Sequence, residues 1–200
     1  MTIWWRPFHI STWSYLNYQA VQLLNLYKMK KIIVLACLII TQSCFSQNNE
    51  NRGYRVNVGE TPPELNFSLL DGTKITNENL KGKVVVLQFT ASWCSVCIKE
   101  MPHLEKEVWQ RFKDDDFILI GIDLKEDLEK VERFIKKVGV TYPFTIDEDG
   151  SLFEAFTLPK AGVTRNIVLN KEGEIIMLTR LYDEKEFSKM VDVIEAELRD

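Results

Sequence analysis

The apolar run Val84-Val85-Val86-Leu87-Gln88-Phe89 leads into Trp93-Cys94-Ser95-Val96-Cys97, and a helical pattern begins near Ser95. Nothing else in the chain restricts its fold so strongly. Two cysteines three positions apart can close a small ring, and strand, then C-x-x-C, then helix is how a redox-active dithiol is built. That order puts the first sulfur at a helix N-terminus, where free backbone N–H groups and the positive end of the helix dipole favour a thiolate. The remaining cysteines, Cys37 and Cys44, lie near the front, so the four cysteines do not form a disulfide framework.

The chain divides unevenly. Residues 1–46 contain no Asp or Glu, and their basic residues are Arg6, Lys28, Lys30 and Lys31. This leaves 29 acids and 21 bases for residues 47–200, a formal charge of −8. An acidic domain without a basic stripe is a poor nucleic-acid binder. Met29-Lys30-Lys31, followed by nine apolar residues over 32–40, has the basic start and short apolar stretch of a secretory signal. The stretch is too short for an ordinary spanning helix. Cleavage after Ser46 would remove Cys44, a lipobox reading of Thr41-Gln42-Ser43-Cys44 would lipidate and retain it, and an uncleaved anchor is the third reading. The expected organisation is an upstream extension over 1–28 (a start-site artefact or disordered), a signal peptide over 29–46, a polar tether over 47–59, and one domain over 60–200. Roughly 150 residues can bury a full hydrophobic core without staples.

Within that domain the hydrophobic period alternates. Residues 65–69 alternate as a half-buried strand does, Asp71-Gly72 marks a hairpin, and 74–76 returns. The runs 84–89 and 117–122 suit central strands covered on both faces. A helix is expected over 95–111, with an apolar stripe from Val96, Met101, Leu104, Val108 and Phe112 and a kink at Pro102. Residues 124–138 read as an amphipathic helix with Leu128, Val131, Phe134, Ile135 and Val138 inward, ended by Gly139. An extended piece over 144–146, a brief helix over 151–156, a hairpin over 166–178 and a closing helix over 184–198 follow. This order predicts an α/β fold, a mixed central sheet flanked by helices with an N-terminal β-hairpin extension.

The residues now in hand carry a family resemblance. From about Glu60 to Leu198 the chain resembles the TlpA/ResA-like branch of thioredoxin-fold thiol–disulfide oxidoreductases. The matching features are Leu80-Lys81-Gly82-Lys83-Val84-Val85, Gln88 through Cys97, Glu100-Met101-Pro102, Gly139-Val140-Thr141-Tyr142-Pro143 and Asn170 through Ile175. The resemblance implies a thioredoxin-like fold in the cell envelope, in a reducing role. One departure stands out. Where the family places a cis-proline opposite the dithiol, this chain has Gly162-Val163-Thr164-Arg165-Asn166. A cis bond before Thr costs roughly 2.5–4 kcal/mol, so a trans peptide is expected there.

Cys94 is the expected nucleophile and Cys97, one turn on and more buried, the resolving thiol. Glu100 falls on the same helix face as Cys97, and the resemblance assigns a Glu here as proton acceptor for that second cysteine. Trp93 is expected to pack beside the sulfurs and shield them. Ser95, Val96 and Pro102 shape the site, and Val163 and Thr164 face the disulfide and offer backbone groups to an extended partner peptide. Arg165 reads as a surface ion pair in preference to a thiolate stabiliser, His103 as a surface or helix-packing residue, and Met101 and Trp109 as core. No cofactor is expected beyond the redox-active Cys94–Cys97 pair. A structural zinc site wants four ligands, and the exported part offers one cysteine pair plus His103.

The leading functional expectation is an envelope thiol–disulfide oxidoreductase reducing or exchanging disulfides in exported proteins, re-reduced by a membrane thiol reductant. Apocytochrome c maturation is one assignment within that class. Membrane contact is expected only through the signal or a lipid on Cys44. A thiol peroxidase is an alternative invited by Thr164-Arg165, although the pattern Pro-x-x-x-Thr-x-x-Cys fails against both Cys94 and Cys97. A non-catalytic module holding copper or a partner is a third reading, since soft thiolates suit Cu(I), but the copper-chaperone relatives space their cysteines C-x-x-x-C.

Overall fold

The computed structural model of the protein describes residues 52–199. The expected signal peptide, the upstream extension, Cys37 and Cys44 lie outside the described residues.

A two-stranded hairpin, β1 (Asn66–Ser68) and β2 (Lys74–Thr76), opens the fold and runs into a short helix α1 (Asn77–Leu80). Strand β3 (Val84–Thr90) is the spine: every one of its residues is buried. It pairs in parallel with β4 (Phe117–Leu124), which pairs in parallel with β5 (Phe144–Asp147). On its other side β3 is antiparallel to β6 (Arg165–Leu169), and β6 to β7 (Ile175–Leu178), giving the order β5-β4-β3-β6-β7. The helices are α2 (Ser95–His103), extended by a π-helical stretch (Leu104–Trp109) and a last turn α3 (Gln110–Phe112), then α4 (Leu128–Val138), α5 (Ser151–Phe156) and α6 (Glu184–Arg199). This is the thioredoxin-like α/β architecture with its hairpin extension that the sequence implied.

Strand alternation divides the core in two. Val85, Leu87 and Phe89 face a cluster with Phe153 and Phe156 of α5, the hairpin's Ile75, and both Cys94 and Cys97. Val84 and Val86 face the other cluster, with Met101 and Leu104, Val131 and Phe134 of α4, and Met190 and Ile194 of α6. In β4 the close approach of the Phe144 ring leaves no room for a side chain at position 121, where a Cβ would meet it at 2.5 Å; only Gly121 fits.

The structure differs from the sequence expectation in three places. The helix expected from residue 124 begins at Leu128, because β4 runs through Leu124, Lys125 takes a left-handed φ of 58°, and the Asp127 side chain caps the helix on the Lys130 N–H. Leu128, in the first turn, is consequently 51% exposed, not inward. Just beyond Pro102 the helix widens into the π-helical stretch Leu104–Trp109, which the regular apolar stripe did not show. From residue 52 on, the expected tether is docked: Tyr54 and Val56 are buried, the Arg55 N–H reaches the Phe156 carbonyl at 2.9 Å, and Arg52 pairs with Glu186. Two apolar anchors at alternate positions suffice to hold a segment whose composition reads as polar.

Candidate active site

The carboxyl end of β3 delivers the chain into the turn 91–94, closed by the Cys94 N–H on the Ala91 carbonyl at 3.0 Å, and α2 starts at Ser95. Cys94 is the N-cap of α2. Its sulfur accepts from the Cys97 N–H at 3.2 Å, so an orphan donor of the first turn is aimed at it. Cys94 and Cys97 form a disulfide with Cα atoms 5.3 Å apart. The two sulfurs are unequal: Cys97 is fully buried, while Cys94 keeps 9% of its surface.

Thr164 faces them. Its Oγ1 lies 3.0 Å from Cys94 Sγ and 3.1 Å from Cys97 Sγ. The described residues contain no cis peptide, so the bond before Thr164 is trans, and its φ is 64°. The expectation that Thr164 offers its backbone to a partner is corrected. Its N–H donates to the Phe89 carbonyl at 3.1 Å and its carbonyl accepts from Leu181 at 2.9 Å. Among the described residues, the Val163 N–H and C=O have no such backbone partners. Arg165 is not a surface ion pair, and its guanidinium is committed to groups other than the thiols. It is buried, stacks on the Tyr54 ring at 4.5 Å, and donates to the carbonyls of Gly162 and Arg52, both at 2.8 Å.

Trp93 is also corrected. The apex of the turn points its side chain outward, 63% exposed, so it borders the sulfurs without covering them. Ser95 is exposed and Val96 packs against the first core cluster. Pro102, exposed, lies about 12 Å along the helix from Cys94 at 1.5 Å per residue, so it shapes the helix and not the immediate surroundings of the sulfurs. His103 bonds Glu107 and stacks on Tyr182 at the surface. Met101 is core, whereas Trp109 is only partly buried.

Glu100 is 1% exposed. Burial pushes its carboxyl up to about 7, with the Asn166 and Gln88 side chains pulling it partway back. Asn166 Nδ2 donates to Oε1 at 2.8 Å, while Oε2 and the Gln88 Nε2 each stand without a hydrogen-bond partner of good geometry. The Tyr142 hydroxyl in turn donates to Gln88 Oε1 at 2.7 Å. A carboxyl in this setting can take up or release a proton near neutral pH.

Sequence reasoning missed a second carboxylate group beside the active-site turn. Glu126 accepts from the Ser92 N–H at 2.6 Å and the Ser92 hydroxyl at 2.8 Å, and it pairs with Lys130. Burial would raise Glu126, but Lys130 and the Ser92 donors outweigh it and hold it low. Asp123, at the end of β4 opposite Thr90, is fully buried with neither oxygen partnered. Burial first, and the Glu126 charge second, raise it to about 8. The available signal was a polar residue inside an otherwise apolar strand, as at Gln88, Asp123 and Asn166, since such a residue is costly unless it has a task or a partner. Among the described residues no group of three or more His, Cys, Asp or Glu is placed to hold a metal ion.

The Redoxin family model matches residues 57–194. The thiol-disulfide oxidoreductase ResA of Bacillus thuringiensis subsp. konkukian (strain 97-27) is 28% identical over 123 residues, covering 61% of this chain and 69% of the relative. The ResA of Halalkalibacterium halodurans is 32% identical over 114 residues, covering 56% and 63%. Among solved structures, a Bacteroides thetaiotaomicron protein provisionally named a protein disulfide isomerase is 50% identical, with a TM-score of 0.71, covering 74% of this chain and 94% of that one. A Chlorobium tepidum protein provisionally named thiol:disulfide interchange protein DsbE, 18% identical with a TM-score of 0.62 and covering 72% and 99%, shares the fold.

Proposed function

The chain belongs to the Redoxin family and is a thioredoxin-fold thiol–disulfide oxidoreductase, and from that premise we propose that it reduces or exchanges disulfides in exported proteins through Cys94 and Cys97. The observation that carries the reading is the inequality of the two sulfurs. Cys94 caps a helix with a backbone donor on its sulfur and retains exposed surface, while Cys97 is sealed beneath it. Cys94 thiolate attacks a partner disulfide and forms a mixed disulfide, releasing one partner thiolate. Cys97 then attacks Cys94 Sγ, closing the ring and releasing the second. Cys97 must lose its proton for this step. Glu100, three residues along the same helix and poised near neutrality, is the acceptor we assign.

An extended partner segment can pair with the free backbone groups of Val163 and rest against the exposed Trp93 ring. Arg165 is committed to Tyr54 and two carbonyls, which leaves the peroxidase alternative without its arginine. Export is supported by the basic and apolar character of residues 29–40, and an oxidising compartment is where a dedicated reductant finds substrates. Each turnover leaves the pair oxidised, so a membrane thiol donor must restore it. Cys44 decides between a released and a lipid-anchored form.

Trapping tests this reading. The Cys97→Ser variant, expressed in the native host and recovered from the envelope fraction, should hold exported cysteine-containing proteins covalently, released by reductant and lost when Cys94 is also replaced. Recovery of cytoplasmic proteins only, or of no adduct, refutes it.

A further inference from the structure

We propose that the Thr164 hydroxyl is a catalytic hydrogen-bond donor shared by the two sulfurs, serving whichever of them carries the negative charge. The proposal rests on the reading of Cys94 and Cys97 as the exchanging pair and gives this chain's replacement for the expected proline a chemical task.

Three observations carry it. The hydroxyl is within 3.1 Å of both sulfurs, and a disulfide sulfur has no hydrogen, so in the oxidised protein the hydroxyl is the donor. The backbone N–H and C=O of Thr164 are already engaged with Phe89 and Leu181, so the side chain is what this residue presents to the pair. Thr164 is 1% exposed and holds a φ of 64°, a region that β-branched residues avoid. The two backbone bonds hold it in that conformation, and the result is a buried hydroxyl fixed between the reacting atoms. The ionisable groups nearby do not substitute for it. Arg165, the next residue, is turned to Tyr54 and backbone carbonyls, and Glu100 on α2 is itself acidic.

In the reduced protein Thr164 Oγ1 accepts from the Cys97 S–H and donates to the Cys94 thiolate. When Cys94 attacks, its sulfur bonds to one partner sulfur, the partner's S–S bond breaks and the other partner sulfur leaves as thiolate. Cys94 is then neutral, and the hydroxyl is free to turn its hydrogen to Cys97 as the proton leaves that thiol. Cys97 attacks Cys94 Sγ, the Cys94–partner bond breaks, and the partner has gained the two electrons that the cysteine pair has lost. The same donor assists the reverse reaction, where Cys97 is the leaving thiolate.

The test titrates Cys94 in the reduced protein by the pH dependence of its alkylation, with no partner present, in wild type, Thr164→Val and Thr164→Ser. Valine keeps the β-branch and removes the hydroxyl; serine keeps the hydroxyl. Valine should raise the Cys94 pKa by about one unit and lower its alkylation rate about tenfold below neutral pH, with serine near wild type. Should valine impair folding, Thr164→Ala against Thr164→Ser provides the same comparison. An acidic Cys94 in wild type that is equally acidic in the valine or alanine variant overturns the proposal alone. A wild-type Cys94 that titrates like free cysteine overturns the underlying reading of the pair, and this proposal with it.

Discussion

Replacing Glu100 by Gln should make Cys97 more acidic, and only in the upper part of the pH range. Glutamine preserves shape and removes one charge. Glu100 lies three residues beyond Cys97 on α2, and both are buried, so their Cβ atoms are about 5–6 Å apart. Two unit charges about 6 Å apart interact by about 3 kcal/mol at an effective dielectric near 20. That is about two pK units, of which relaxation should leave at least about one. With the wild-type carboxyl held up to about 7, it is largely neutral below that pH and repels a Cys97 thiolate above it. Glu100→Gln should therefore lower the Cys97 pKa by about one to two units. The clean assay uses the Cys94→Ser background and follows thiolate ultraviolet absorbance, with alkylation rate as a check, from about pH 6 to pH 10. Titration curves that superimpose with and without the Glu100 charge would refute the coupling and leave Glu100 as a packed polar residue bonded to Asn166.

Asp123→Asn should stabilise the protein at alkaline pH. A carboxyl raised to about 8 contributes most below its unfolded value near 4, and that contribution is lost as pH rises through 8. Unfolding free energies of the two proteins should thus diverge as pH rises from about 4 to about 8, by on the order of 5 kcal/mol (about four pK units at about 1.4 kcal/mol each), and parallel pH profiles would contradict this. Glu126→Ala strips Ser92 of two charge-assisted bonds. It should cost about 2 kcal/mol by chemical denaturation and slow Cys94 alkylation; unchanged values of both would show that the turn holds itself. Trp93→Ala, at a 63% exposed position, should leave stability within about 0.5 kcal/mol while slowing insulin reduction several-fold. A loss of stability with full activity would reverse that assignment.

The framework was legible because burial writes itself into sequence period. The unbroken apolar runs gave β3 and β4, the 3.6-residue stripe gave α2 and α6, and Gly139, at a left-handed φ of 78°, ended α4 where expected. What escaped was long-range. Nothing near Tyr54 shows that Arg165 will lie on its ring, and nothing near Glu126 shows that the Ser92 turn will come within reach. At the site, the spacing put Cys97 and Glu100 on one helix face, where the structure has both buried, while the role expected of Glu100 came from the resemblance. Trp93 went wrong because neighbouring positions of a tight turn can face the core or the solvent, and composition favours the core for tryptophan. The resemblance alone sets Thr164 opposite the sulfurs, and which of its groups faces them follows only from the backbone bonds to Phe89 and Leu181.

The most direct test of the whole account is single-hit alkylation of the fully reduced wild-type protein at mildly acidic pH, followed by peptide mass mapping. The account predicts label almost entirely on Cys94, with half-maximal reactivity at least one unit below the value of about 8.5 for free cysteine. Label falling on Cys97, or on both thiols alike with ordinary titration, would contradict it.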